Sequence, residues 1–260
     1  MSLQFIIGSS GIGKTHYACE QIIRESMENP QHLYYIIVPE QFTMQTQKNV
    51  VEMHPGKGIL NIDVLSFQRL AYRIFEETGG AREVLLDDTG KSMVLQKLVQ
   101  QHRKNLPYLG SQMNKPGYLD EVKSLISEFM QYDIREEELQ DMLGKTGEDS
   151  LLHMKMQDVG VLYQAFLQYL EGHYMTGEGV MDALKKAIPF SDKLKKSVLL
   201  LDGFTGFTPV QMNVIRELLN VCDKVLVTVT MDAEENPLQL GKPHQLFYMS
   251  RKMIHTLSGL

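Results

Sequence analysis

The chain has 260 residues, 43% of them hydrophobic and 22% charged, with a formal net charge of −6. That length supports one large domain or two modest ones around a sizeable core, and the mildly acidic balance argues against a protein coated by nucleic acid on every face while leaving room for a local groove. Two distant cysteines, no CxxC and histidines without ligand spacing exclude a disulfide framework and a zinc site.

No apolar run approaches the ~18 residues that span a membrane, and the composition fits a reduced, cytoplasmic protein. The start "MSLQFIIG" enters a strand at once, so no signal peptide is expected. The closing "HTLSGL" has no stop character, and the chain reads as a piece of a longer one.

In chain order, "LQFII" (3–7), "LYYIIV" (33–38) and "ILNIDVLS" (59–66) are short runs rich in Ile, Val, Leu and Tyr. Each precedes a helical stretch: "GKTHYACEQIIRESM", "QTQKNVVEM" and "FQRLAYRIFEET". After a long interval come "SVLLLD" (197–202), the helix "TPVQMNVIRELLN" and "KVLVTVT" (224–230). Short apolar runs without alternation belong to a parallel sheet covered on both faces, and the β-α-β rhythm predicts an open α/β sheet with right-handed crossovers. Residues 81–195 break the rhythm. Met93, Leu95, Leu98 and Val99 form one helical stripe, Leu119, Val122, Leu125, Ile126 and Phe129 a second, and Val159, Leu162, Phe166 and Leu170 a third. The expected organisation is an α/β core of residues 1–80 plus 196–260, with a helical insertion of four or five helices over 81–195.

Gly8, Ser9, Ser10, Gly11, Ile12, Gly13, Lys14 and Thr15 form a complete Walker A pattern between a strand and a helix. Its glycines let the backbone wrap phosphates closely, and its N–H groups and helix start offer partial positive charge. Lys14 is expected on the β- and γ-phosphates of ATP and Thr15 on Mg²⁺. Asp202, ending a buried strand behind the phosphate loop, is expected to hold Mg²⁺ through water; the alternative is a turn aspartate. Gly203 carries no side chain to orient or deprotonate a water, so binding without efficient hydrolysis is expected. The other strand ends collect Gln41, Thr43, Phe67, Arg69, Tyr72 and Phe207. Amides, cations and aromatic faces on one sheet edge suit single-stranded DNA, although Phe67, Leu70 and Ile74 share a helical spacing that equally suits packing.

Four motifs in order, "IIGSSGIGKT", "VPEQFTMQTQ", "VLSFQRLAYR" and "LLLDGFTGFTPVQ", followed by "VTVTMD", resemble the amino-terminal region of the AddB family. AddB is a subunit of bacterial helicase–nucleases that process double-strand DNA breaks for recombination. The resemblance covers the whole chain. It implies a P-loop NTPase core of RecA-like, superfamily 1 helicase 1A type with a 1B-like helical insertion. It also implies a heterodimer with an AddA-type subunit, work on single- and double-stranded DNA, and recognition of a Chi-type sequence through Gln41, Thr43, Phe67, Arg69, Tyr72 and Phe207. Active relatives end the fourth strand Asp-Glu-Phe-Gln-Asp, then Thr-x-Pro-x-Gln. Here Asp202 and Phe204 match, Gly203, Thr205 and Gly206 depart, and Thr208, Pro209 and Gln211 resemble the tail. The adenine-binding glutamine motif and the Gly-Asp and Gln of the fifth strand are missing. The family's nuclease domain and iron–sulfur cysteines are expected downstream, so Cys19 and Cys222 are not cluster ligands. A P-loop kinase, whose arginine lid only Arg135 suggests, and a scaffold with a vestigial phosphate loop remain the alternatives.

Overall fold

A computed structural model describes residues 2–80, 83–112, 115, 117–232 and 234–260. It divides into two compact units, residues 1–80 with 181–260, and residues 81–180. The chain opens with β1 (Ser2–Gly8), α1 (Lys14–Glu28), β2 (Leu33–Ile37), α2 (Thr43–Met53), β3 (Ile62–Leu65) and α3 (Phe67–Thr78). The second unit follows with β4 (Val84–Leu86), α4 (Asp88–His102), α5 (Leu109–Gln112), α6 (Tyr118–Gln131), α7 (Glu136–Gly144), α8 (Leu151–Leu170) and β5 (Tyr174–Thr176). Helix α9 (Gly179–Ala187) leads back to β6 (Ser197–Leu201), α10 (Pro209–Val221), β7 (Lys224–Thr230) and α11 (Tyr248–Ser258).

The first unit is built on one five-stranded sheet, parallel throughout, in the order β1-β7-β6-β2-β3. All five runs expected as strands are in it. Strand β6 is buried along its whole length, as is β2 from Tyr34 onward, because helices cover both faces. The two strands made last lie in the middle. Strand β7 separates β1 from β6, so the ends of β1, β6 and β7 meet at one sheet edge. Strand β3 is shorter than its apolar run, since Asn61 turns its side-chain amide onto the Ser26 and His32 carbonyls (3.2 and 3.1 Å) before pairing begins. Residues 181–195 group with this unit, where Leu184, Ile188 and Leu194 are fully buried.

The second unit buries Leu95, Leu98, Val122, Ile126, Leu162 and Phe166 in its own core. Met93 does not join them and is 67% exposed. It lies two positions from Leu95, roughly 200° around the helix, and Val94 takes its place beside the expected Leu95, Leu98 and Val99. A short parallel pair, β4 with β5, has no counterpart in the sequence reading; three-residue strands are too brief to show a period.

Candidate functional site

Helix α1 starts directly from the glycine loop. Gly11 and Gly13 have φ of 78° and 97°, where a side chain would be strained. A Cβ on Gly8 would come within 2.8 Å of the Ile12 side chain. The first turn of α1 has no side-chain cap, whereas α3, α4, α8 and α10 are capped by Ser66, Asp87, Ser150 and Thr208. An uncapped start on a glycine loop directs backbone N–H groups outward, a geometry suited to an anion. Lys14 folds back over the loop, its Nζ donating to the Ser9 carbonyl at 2.8 Å.

Asp202 lies just beyond β6 and is 5% exposed. The Thr15 hydroxyl sits 3.0 Å from both of its carboxylate oxygens. A second hydroxyl, from Thr228 on β7, donates to Asp202 Oδ1 at 2.6 Å. The next residue, Gly203, adopts φ 78° and directs its N–H toward Thr228 Oγ1 at 3.4 Å. No carboxylate follows Asp202 before α10. There the Thr-Pro-x-Gln sequence forms a reciprocal cap: the Gln211 N–H donates to Thr208 Oγ1 and the Thr208 N–H donates to Gln211 Oε1. A cavity of about 560 Å³ opens beside the loop, bounded by Lys14, Thr15 and His16 on one side and by Thr46, Asn49 and Glu52 of α2 on the other. Cys19 lines its inner wall. Burial, with the charge of Asp202 adding to it, pushes that thiol up to about 12.

The residues expected to face DNA divide into two groups. Thr43 and Phe67 are buried, 3% and 5% exposed. Thr43 bonds the Glu40 carbonyl at 2.9 Å, and Phe67 packs against Phe204 and Phe207 with ring centroids 5.6 and 6.3 Å away. The periodicity of α3 directs Phe67 inward with Leu70 and Ile74, and Thr43 is buried at the start of α2. Gln41, Arg69 and Tyr72 are exposed, and Phe207 is half-buried. Arg69 is held across the strand ends by an ion pair with Glu40 at 3.2 Å.

A family model described as "ADDB, N-terminal" matches residues 5–260. The chain belongs to the AddB N-terminal family. It is 45% identical, over its whole length, to the B-type subunit of an ATP-dependent helicase/deoxyribonuclease from Lachnoclostridium phytofermentans, of which it covers 23%. It is 32% identical over 97% of its length to the protein of the same name from Alkaliphilus metalliredigens, covering 22% of that protein. It is 33% identical over 99% of its length to the one from Desulforamulus reducens, again covering 22%. The chain thus spans less than a quarter of these relatives, and their names as subunits imply complexes with a second chain.

In this AddB-family chain, Thr228 is a site residue that the sequence alone does not single out. It stands inside an unbroken strand run, and only the insertion of β7 between β1 and β6 brings it to Asp202. Among the described residues there is no cluster of three or more His, Cys, Asp or Glu able to hold a metal, and Cys19 and Cys222 are both buried. No helix among the described residues is long and apolar enough to cross a membrane.

Proposed function

We propose that this chain is the nucleotide- and DNA-binding amino-terminal region of an AddB-type subunit, with a RecA-like P-loop core of superfamily 1 type and a 1B-like helical insertion. The observation that carries the reading is the Thr15–Asp202 contact: a phosphate-loop hydroxyl and an acidic strand end meet at 3.0 Å, with one strand between theirs. Gly8–Thr15 would wrap the phosphates of ATP, with Lys14 swinging from Ser9 to the β- and γ-phosphates. Thr15 and Asp202 supply the hard oxygens that Mg²⁺ prefers, and bound Mg²⁺ would neutralise phosphate charge. With a glycine after Asp202, the site lacks a carboxylate to activate water, which supports binding with weak or no hydrolysis.

Single-stranded DNA would cross the neighbouring strand ends, with Tyr72 and Phe207 as stacking faces and Gln41 and Arg69 as hydrogen-bonding groups. Phe67 and Thr43 would act beneath that surface by holding it in shape. In the cytoplasm the region would serve Chi-type recognition during double-strand break processing beside an AddA-type helicase–nuclease subunit. Any iron–sulfur cluster and nuclease chemistry would belong to other parts of the polypeptide. The test is titration with a fluorescent, non-hydrolysable ATP analogue and Mg²⁺, and separately with a labelled oligonucleotide over a salt series. Saturable binding of both, with DNA affinity falling as salt rises, is expected; absence of Mg²⁺–nucleotide binding would refute the reading.

A further inference from the structure

Thr228 is 4% exposed on a strand whose neighbours Val225, Val227 and Val229 are fully buried. A hydroxyl in such a place costs free energy unless it is hydrogen-bonded, and a valine of the same shape would avoid that cost. Thr228 spends its single proton on Asp202 Oδ1, at 2.6 Å. Its oxygen faces the Gly203 N–H at 3.4 Å, at the left-handed turn that leaves β6. The Thr15 hydroxyl also has one proton, and it lies equidistant, at 3.0 Å, from Oδ1 and Oδ2. Thr15 alone therefore does not select one orientation of the carboxylate. Thr228 does, because it engages Oδ1 only.

We propose that Thr228 is a positioning residue for the metal side of this site: through Oδ1 it holds the Asp202 carboxylate so that Oδ2 is available to a water on Mg²⁺. The inference rests on the nucleotide-binding reading above. It assigns to β7 a task that a neighbouring carboxylate cannot share here, since position 203 has no side chain. A residue acting on a metal through its ligand typically changes metal affinity about 10- to 100-fold when lost.

The test compares wild type with Thr228→Val and Thr228→Ser in the full-length protein. Binding of a fluorescent, non-hydrolysable ATP analogue is followed as Mg²⁺ is titrated, and thermal unfolding is measured without ligand. Thr228→Val is expected to raise the Mg²⁺ concentration for half-maximal nucleotide binding by about tenfold or more, and Thr228→Ser to restore it. Should the valine variant not fold, Thr228→Cys, a weaker donor of similar size, is expected to shift the Mg²⁺ requirement in the same direction. A lower melting temperature with an unchanged Mg²⁺ requirement would overturn the proposal and leave nucleotide binding intact. Wild type that binds the analogue with no response to Mg²⁺ would overturn it too, by removing the metal itself. Wild type that binds no analogue at all would instead mark failure of the nucleotide-binding reading, and this proposal would fall with it.

Discussion

Thr15 and Asp202 stand 187 positions apart in the chain, yet the Thr15 hydroxyl lies 3.0 Å from both carboxylate oxygens of Asp202. The loop after β1 and the end of β6 therefore form one polar site, tied by a hydroxyl that can turn its oxygen toward a cation while its proton remains on the carboxylate.

Lys14 is the group whose loss separates ligand binding from folding. Its ammonium donates to the Ser9 carbonyl at an exposed position. Lys14→Ala is expected to change unfolding free energy by no more than about 0.5 kcal/mol, as for other surface substitutions. Removing a charge-assisted bond to phosphate is expected to weaken ATP-analogue binding by about 10- to 100-fold. Calorimetric titration with matched denaturation curves checks both, and an unaltered affinity would deny Lys14 a phosphate role.

Gly203 is not a simple vacancy for a catalytic carboxylate. Its φ of 78° belongs to the left-handed region, and a Cβ there would sit 3.6 Å from the ring of Pro39. Gly203→Glu is expected to cost about 1–3 kcal/mol in backbone strain. It is also expected not to raise ATP turnover, because the backbone aims that position differently from a helical or extended one. Urea denaturation and a steady-state phosphate-release assay test the two halves, and a large gain in turnover would refute the second.

Much of the fold is legible in the chain because its signals are local. Buried parallel strands are short apolar runs, and SVLLL and KVLVTVT coincide with β6 and β7. The glycine loop is contiguous, so its chemistry and its strand-to-helix context stand together in the sequence. Thr228 gives no such signal, because its bond to Asp202 exists only through the strand order. Phe67 is ambiguous for a different reason: the spacing that places it beside Leu70 and Ile74 is shared by a buried stripe and an exposed face, and only the contacts with Phe204 and Phe207 decide. Met93 departs from its expected place because two positions along a helix are roughly 200° apart, which sets it away from the face that Leu95 shares with Leu98 and Val99.

The split among the aromatic residues yields opposite expectations for two substitutions on α3. Phe67→Ala removes a buried ring from a three-ring cluster and is expected to cost about 3–5 kcal/mol of stability. Tyr72 is 39% exposed and touches Phe75 edge-on. Tyr72→Ala is expected to be mild for stability and to weaken single-stranded DNA binding by about 1–3 kcal/mol if a base stacks there. Thermal melts and fluorescence anisotropy separate the two; DNA binding insensitive to Tyr72 would move the stacking face elsewhere.

Both cysteines are expected to be inert in the native state. Burial pushes Cys19 up to about 12, with Asp202 contributing, and burial pushes Cys222 up to about 11. Only the thiolate reacts, so at neutral pH a disulfide reagent should label neither until denaturant is added. Rapid stoichiometric labelling of the folded protein would contradict the burial of these thiols.

In the second unit, Lys91 is 6% exposed, and its Nζ lies 3.0 Å from each carboxylate oxygen of Glu178 and 3.2 Å from Ser127 Oγ. Burial pushes the Glu178 carboxyl up, but the hydrogen bond and charge of Lys91 outweigh it, and the group sits below its ordinary value of 4.5. A folded-state value lower than the unfolded one means that the stabilisation is fully present above pH 4.5 and is lost as pH falls through the folded value. Glu178→Gln leaves the buried lysine with Asp88 alone as its anion, an exposed carboxylate 3.6 Å away, and is expected to cost about 3 kcal/mol at neutral pH. The same substitution should flatten the acid limb of the stability curve below pH 4.5, where wild type loses this contribution. Lys91→Met with Glu178→Gln, which removes both charges, is expected to recover part of the loss, because a buried lysine left with only the exposed Asp88 carboxylate, and not the missing attraction, dominates the single variant. Denaturation of wild type and both variants across the acid range decides it: equal destabilisation in the single and double variants would show that the ion pair itself, not the burial of a lysine without Glu178, sets the cost.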